Sequence, residues 1–257
     1  MTAIDPYHHP LLFEVSQGAP WADDFPAWKE WADEIERQLK FVVSQGELER
    51  FRPRLRGPAM RRDETFAELK AAYFLGSRCG IPIHEWEPLA PSGRRGDFVL
   101  GGWDGSEVFV EVKSPGWEAE IVESEGQNSP RLTQPKFIPE TRSTAPWAAI
   151  RRAVAKAYPK MPDGKPTLLV VVPDTFIKPD RFIVDIALYC EQCSGYETGY
   201  LAEAGCFVGT RYENLGAVGV LTVEMKGEEV SYSFEVYRNP NALVTVPFFP
   251  FERVGQL

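Results

Sequence analysis

Apolar side chains recur at Trp28, Trp31, Ile35, Leu39 and Val42, a spacing of three or four that predicts an amphipathic helix over residues 24–43. A second helix is expected to begin near Asp63 or Glu64, where acidic groups suit a first turn. It carries Phe66, Leu69 and Tyr73 on one stripe and should stop at Gly80 and Pro82. Strand patterns follow at residues 81–86, 97–100 and 107–113, the last two joined by the turn Gly101-Gly102-Trp103-Asp104-Gly105. The polar stretch from Pro115 to about Ala145 is too long for an ordinary connection and reads as a functional or partly disordered loop. Trp147, Ile150, Val154 and Ala157 return to helical spacing, and Thr167-Leu-Leu-Val-Val-Val172 suits a central strand buried on both faces. Residues 181–190 read as a helix, and 217–224 with 229–238 as a terminal hairpin. This order predicts an α/β fold, a mixed central β-sheet flanked by helices. Three regions are expected: an N-terminal helical extension with an Arg-rich linker (1–62), a core (63–175), and a C-terminal helix and β-hairpin packed on that core (176–257).

Composition is that of a globular chain: 257 residues, 44% hydrophobic and 25% charged. No apolar run approaches the roughly 18–20 residues that span a bilayer, so no membrane partner is expected. The first ten residues lack the basic and apolar regions of an export signal, and four cysteines are too few for a disulfide scaffold. A reduced, cytoplasmic protein is the expectation.

The net charge of −9 excludes a protein that coats nucleic acid by bulk charge, though not one with a local basic patch. Most of it lies early: residues 1–49 carry 3 basic and 10 acidic side chains, whereas 50–113 carry 11 and 9. The middle segment holds Arg50, Arg52, Arg54, Arg56, Arg61 and Arg62, broken by Pro53 and Pro58. It reads either as a solvated connector or as a phosphate-contacting arm, since guanidinium groups bind phosphate in a bidentate way.

Candidate chemistry lies between Glu64 and Lys113. On the strand Glu107-Val-Phe-Val-Glu-Val-Lys113, Glu111 and Lys113 share one face, opposite Val108, Val110 and Val112. Charges on a valine-rich strand are costly without a partner or ligand. If the preceding hairpin closes with a three-residue loop, Gly102 pairs with Ser106, Asp97 falls opposite Glu111, and Gly105 supplies the left-handed residue. A two-residue loop would turn Asp97 to the wrong face. Two carboxylates and a lysine converging in this way suit a hard cation such as Mg²⁺, which polarises a phosphate and activates water. Lys113 would position that water or offset charge on the phosphate. Glu64 and Glu68, one helical turn apart, could reach the same site. Arg94 and Arg95 beside Asp97 read either as phosphate contacts or as solvated loop residues.

With Phe66-Ala-Glu-Leu69 on a helix, Gly96-Asp-Phe-Val-Leu100 and Phe109-Val-Glu-Val-Lys-Ser-Pro-Gly116, the chain resembles the PD-(D/E)xK nuclease superfamily, which has the restriction-endonuclease-like fold. The resemblance covers roughly residues 63–172. It implies that Asp97 and Glu111 bind the metal, that the peptide carbonyl of Val112 is a further ligand, that Lys113 assists the attacking water, and that a helix glutamate, Glu68, supports the site. Gly96 stands where a proline often precedes the aspartate.

The implied function is a Mg²⁺-dependent endonuclease, with Mn²⁺ able to substitute, hydrolysing phosphodiester bonds of DNA ahead of RNA. Arg54, Arg56, Arg94 and Arg95 are the candidate nucleic-acid contacts. The alternative is a non-catalytic member of the fold, serving as a nucleic-acid-binding or protein-assembly module. A homodimer or a regulatory partner is compatible with either, and the acidic first 49 residues could cover the arginine arm. Three further patterns stand outside this set. Arg151, Arg152 and Lys156 form either a cleft-facing set or a plain polar helix face. Cys190-x-x-Cys193 with Cys206 has no second cysteine pair to complete a zinc site. His84 reads as an edge-strand residue.

Overall fold

Six strands form one mixed sheet in the computed structural model, in the order β1 (Ile83–Trp86), β2 (Phe98–Gly101), β3 (Glu107–Lys113), β4 (Thr167–Val171), β5 (Ala217–Lys226) and β6 (Glu229–Arg238). Strands β1, β2 and β3 are antiparallel neighbours, whereas β3–β4 and β4–β5 are parallel. Only two residues separate the adjacent strands β5 and β6, too few for a crossover, so they pair antiparallel. The structure describes residues 4–19, 22, 29–57, 59–90, 92–102, 105–115, 147–173, 179–191, 204–226 and 229–247.

The chain divides into two compact units, each taken here on its described residues. The first comprises residues 4–80 with 223–232, and the second residues 81–115, 147–222 and 233–247. The division falls at Gly80, so the helix that the sequence reading placed with the core at residue 63 belongs with the N-terminal helices.

The first unit holds α1 (Pro10–Ser16), α2 (Lys29–Ser44), α3 (Leu48–Leu55) and α4 (Ala59–Tyr73), the last continued by a π-helical turn at Phe74–Arg78. Helix α2 buries Trp31, Ile35, Leu39 and Val42, the stripe its spacing predicted; Trp28 lies outside the described residues. Its buried Glu34 accepts from Arg37 (2.6 Å) and from the hydroxyl of Tyr232, which also accepts from Gln38 (2.8 Å). Burial and then the Glu34 charge push the Tyr232 hydroxyl well above the usual phenol range.

Two expectations change in this unit. The Arg-rich segment is not a linker: residues 48–55 are the helix α3, with Pro53 inside it. An interior proline costs about 3 kcal/mol. Phe51 and Leu55, one turn apart and both 0% exposed, return about 1.5–3 kcal/mol each on burial and offset that cost. Helix α4 begins at Ala59, ahead of the acidic pair Asp63 and Glu64, and buries Phe66, Leu69 and Tyr73 as expected.

In the second unit, β4 lies between two parallel neighbours and all five of its residues are buried, as its continuous apolar run predicted. Helices α5 (Ala148–Ala157) and α6 (Arg181–Tyr189) cover one sheet face. Ile150, Ala153, Val154 and Ala157 meet Phe109, Leu169, Val171, Val218 and Val220, with Val184 and Leu188 completing the cluster. The expected C-terminal hairpin is not a separate elaboration, because β5 pairs with β4 and continues the sheet. Cys79, Cys190 and Cys206 are free thiols; Cys193 lies outside the described residues. No described helix is long and apolar enough to cross a membrane.

Candidate active site

The β2–β3 hairpin brings the candidate residues of the second unit together. Its register pairs Phe98 with Val110, Leu100 with Val108 and Gly101 with Glu107. The N–H of Gly102 donates to Ser106 O, and Gly105 adopts φ +80°. This is the register of the three-residue loop, and it sets Asp97 beside Glu111. Trp103 and Asp104, within that loop, lie outside the described residues. The ladder breaks at Asp97 itself, whose N–H donates to Val110 O (3.2 Å), leaving its side chain to accept from the N–H of Val112 (2.6 Å). A short bond from a backbone amide to a carboxylate is of the strong, charge-assisted kind.

Glu111 is the unusual group of the site. Its residue is 0% exposed, which is rare for a carboxylate unless it is paired. One oxygen, Oε1, accepts from Lys113 and from Lys160, while the other, Oε2, is buried and has no hydrogen-bond partner among the described residues. Burial above all, and then the neighbouring charge of Asp97, push its carboxyl above the usual glutamate range, against the pull of the two lysines. Lys113 also donates to the carbonyl of Val112 (3.2 Å), so one ammonium spans the glutamate and the peptide oxygen.

Lys160 is the residue that the sequence reading missed. It ends the 3₁₀ turn Tyr158–Lys160 that follows α5, and its side chain is 20% exposed. Nothing in the local pattern Tyr-Pro-Lys marks it. Only the parallel pairing of β4 with β3, which returns the chain along Glu111, brings that turn to the site. Of the basic residues on α5, Arg151 donates to Ile186 O (3.1 Å) and Ala187 O (3.4 Å) in α6. Arg152 and Lys156 are exposed.

Oxygen donors of the candidate site are Asp97, Glu111 and the Val112 carbonyl, a hard set that fits a small divalent cation retaining most of its waters. The buried, unpartnered Oε2 of Glu111 supports this fit, since such an atom costs about 1–3 kcal/mol unless a ligand satisfies it. Among the described residues no group of three or more His, Cys, Asp or Glu side chains converges, so the carboxylates number two.

Gly96 has a physical reason to be glycine. A Cβ there would lie 2.2 Å from Cζ of the Phe109 ring, which packs against α5 in the core. Overpacking a filled core costs about 1–3 kcal/mol. Gly96→Ala is therefore expected to lower the unfolding free energy by about that amount, which urea unfolding checks.

Glu68, in the first unit, is 1% exposed, and its carboxylate is held by Arg50 and by Arg54 (2.6 Å). Arg54 is thus part of an internal ion cluster, and Arg56, exposed, donates to the backbone carbonyl of Glu14 (2.7 Å). Glu64 is exposed. In the second unit Arg94 and Arg95 are exposed, and Arg95 donates to Glu87 O (3.1 Å). His84, on the edge strand β1, stands 4.0 Å from Glu107.

A groove of about 540 Å³ opens over Val99, Phe109 and Pro162, with Glu85, Glu107 and Lys165 among its lining. Its acidic rim does not suit a phosphate backbone, and Asp97, Glu111 and Lys113 do not line it. No protein-family model, curated protein or solved structure matches the chain.

Proposed function

We propose that this chain is a Mg²⁺-dependent nuclease of the restriction-endonuclease-like fold, cutting phosphodiester bonds of DNA in preference to RNA. One observation supports the reading: the β2–β3 register puts Asp97 beside the fully buried Glu111, which holds Lys113 on one oxygen and has no partner for the other among the described residues. Asp97, Glu111 and the Val112 carbonyl would hold the cation. Bound there, Mg²⁺ would supply Lewis-acid polarisation of a phosphodiester. Lys113 then has two tasks: its ammonium orients a water through hydrogen bonds and offsets negative charge that develops on the phosphate. The buried strand keeps the lysine's position fixed, which is how a preorganised donor lowers a barrier without reorganising.

Another reading keeps the fold without the reaction, as a nucleic-acid-binding or assembly module. What favours it is that Lys113 and Lys160 together neutralise Glu111 without any added cation. The two readings separate in one experiment. Wild-type protein is expected to bind Mn²⁺ in a calorimetric titration and to cut at least one of linear, circular or single-stranded DNA when Mg²⁺ or Mn²⁺ is present. Glu111→Ala is expected to lose both properties. A wild type that binds no divalent ion, or a Glu111→Ala titration that matches it, overturns the nuclease reading.

A further inference from the structure

The two lysines on Glu111 are not equivalent. Lys113 shares the strand with Glu111 and also bonds the Val112 carbonyl, so its ammonium is tied to the carbonyl as well as to the carboxylate. Lys160 reaches Glu111 from a separate turn, 49 residues along the chain, and Glu111 is the partner that its ammonium meets. Its side chain is 20% exposed, so the stem can swing the ammonium outward without disturbing the buried strand.

Charge balance says what such a swing would serve. Among the described residues the cluster sets two carboxyl groups, Asp97 and Glu111, against two ammonium groups, Lys113 and Lys160, so their formal charges balance. A divalent cation on the same oxygens would leave it at +2. Uncompensated charge at a buried site is costly. The excess can be relieved by releasing an ammonium from Glu111, by admitting an anion, or by both together. The Oε2 of Glu111, without a hydrogen-bond partner among the described residues, is the oxygen left for a cation, and a lysine freed from Oε1 is a positive group beside it for the anion.

Building on the nuclease reading, we infer that Lys160 is a substrate-contacting residue held in reserve on Glu111, which competes with the divalent cation when no nucleic acid is bound and moves to a phosphate of the DNA when it is. Cation and phosphodiester thereby favour one another. Because linkage is reciprocal, each should tighten the other by the same factor.

The test is Lys160→Met, which keeps the apolar stem and removes the charge, with Lys160→Gln as a second, polar variant. Mn²⁺ affinity is read by calorimetry without DNA, and kcat and KM for DNA cleavage are read in saturating Mn²⁺. Both variants are expected to bind Mn²⁺ about tenfold more tightly than wild type, a factor within the usual range for coupled sites. Both should raise KM for DNA, and Lys160→Arg should restore KM in part. Lys113 remains on Glu111, so folding should survive, and circular dichroism checks it. A merely structural lysine would not tighten Mn²⁺ binding on removal. Unchanged or weaker Mn²⁺ affinity, or an unchanged KM, in a folded variant overturns the inference and leaves the nuclease reading standing. A wild type that neither binds Mn²⁺ nor cuts DNA overturns both.

Discussion

Lys113→Met is expected to lower the rate of DNA cleavage by about 10²–10³-fold, the usual loss when one preorganised donor to a developing charge is removed. The effect should fall on kcat, because the ammonium acts on the reacting phosphate and water and contributes little to holding the rest of the substrate. The protein should still fold. Lys113 is 19% exposed, methionine preserves most of its stem, and Lys160 remains on Glu111 so that the buried carboxylate keeps a counter-charge. Asp97 keeps its bond from the Val112 amide as well. Single-turnover cleavage in Mg²⁺ measures the loss, and thermal melting measures the fold. A variant that cuts at the wild-type rate removes Lys113 from the reaction. Lys113→Arg should not restore the rate, since the planar guanidinium spreads the charge that an ammonium concentrates at one point.

Glu68→Ala is expected to destabilise the protein by about 3 kcal/mol, through the first unit and independently of any metal. The carboxylate is 1% exposed and answers both Arg50 and Arg54. Breaking a buried ion pair by removing one partner typically costs about 3–5 kcal/mol, because the opposite charge is left uncompensated. Arg50 keeps Glu47 (3.5 Å), and the side chains of Arg50 and Arg54 are 12% and 33% exposed, so the lower end of that range applies. Glu68→Gln should show most of the loss. Exchanging Glu68 together with both arginines for apolar residues of similar volume should recover much of it, as it does for other buried ion clusters. Urea unfolding decides the matter. If Glu68→Ala melts like the wild type and loses only cleavage, the glutamate serves the reaction rather than the helical unit.

How far the site was legible depended on whether each contact was local. Glu111 and Lys113 stand two residues apart on one strand, so alternation alone places them on one face. Asp97 required a hairpin register that the sequence left open between a three-residue and a two-residue loop; the structure takes the three-residue one, with Gly105 in the left-handed conformation. Lys160 was illegible: it comes 49 residues after Glu111 and is delivered by a parallel crossover, whose geometry no local pattern encodes. The arginines misled in the opposite way. Their run with two prolines suggested a solvated connector or a phosphate-contacting arm, yet Phe51 and Leu55 between them are core residues that draw the segment into a helix.

Periodicity, then, was enough to place α2, the buried strand β4 and the carboxylate–lysine strand β3, because each depends on which side chains leave water together, and that repeats with the backbone. Partnership was decided by the tertiary structure. It set two arginines on Glu68, a second lysine on Glu111 and an aromatic ring over Gly96. Charged and bulky groups take whichever partner lies within a few ångströms in space, and distance along the chain does not say which that will be.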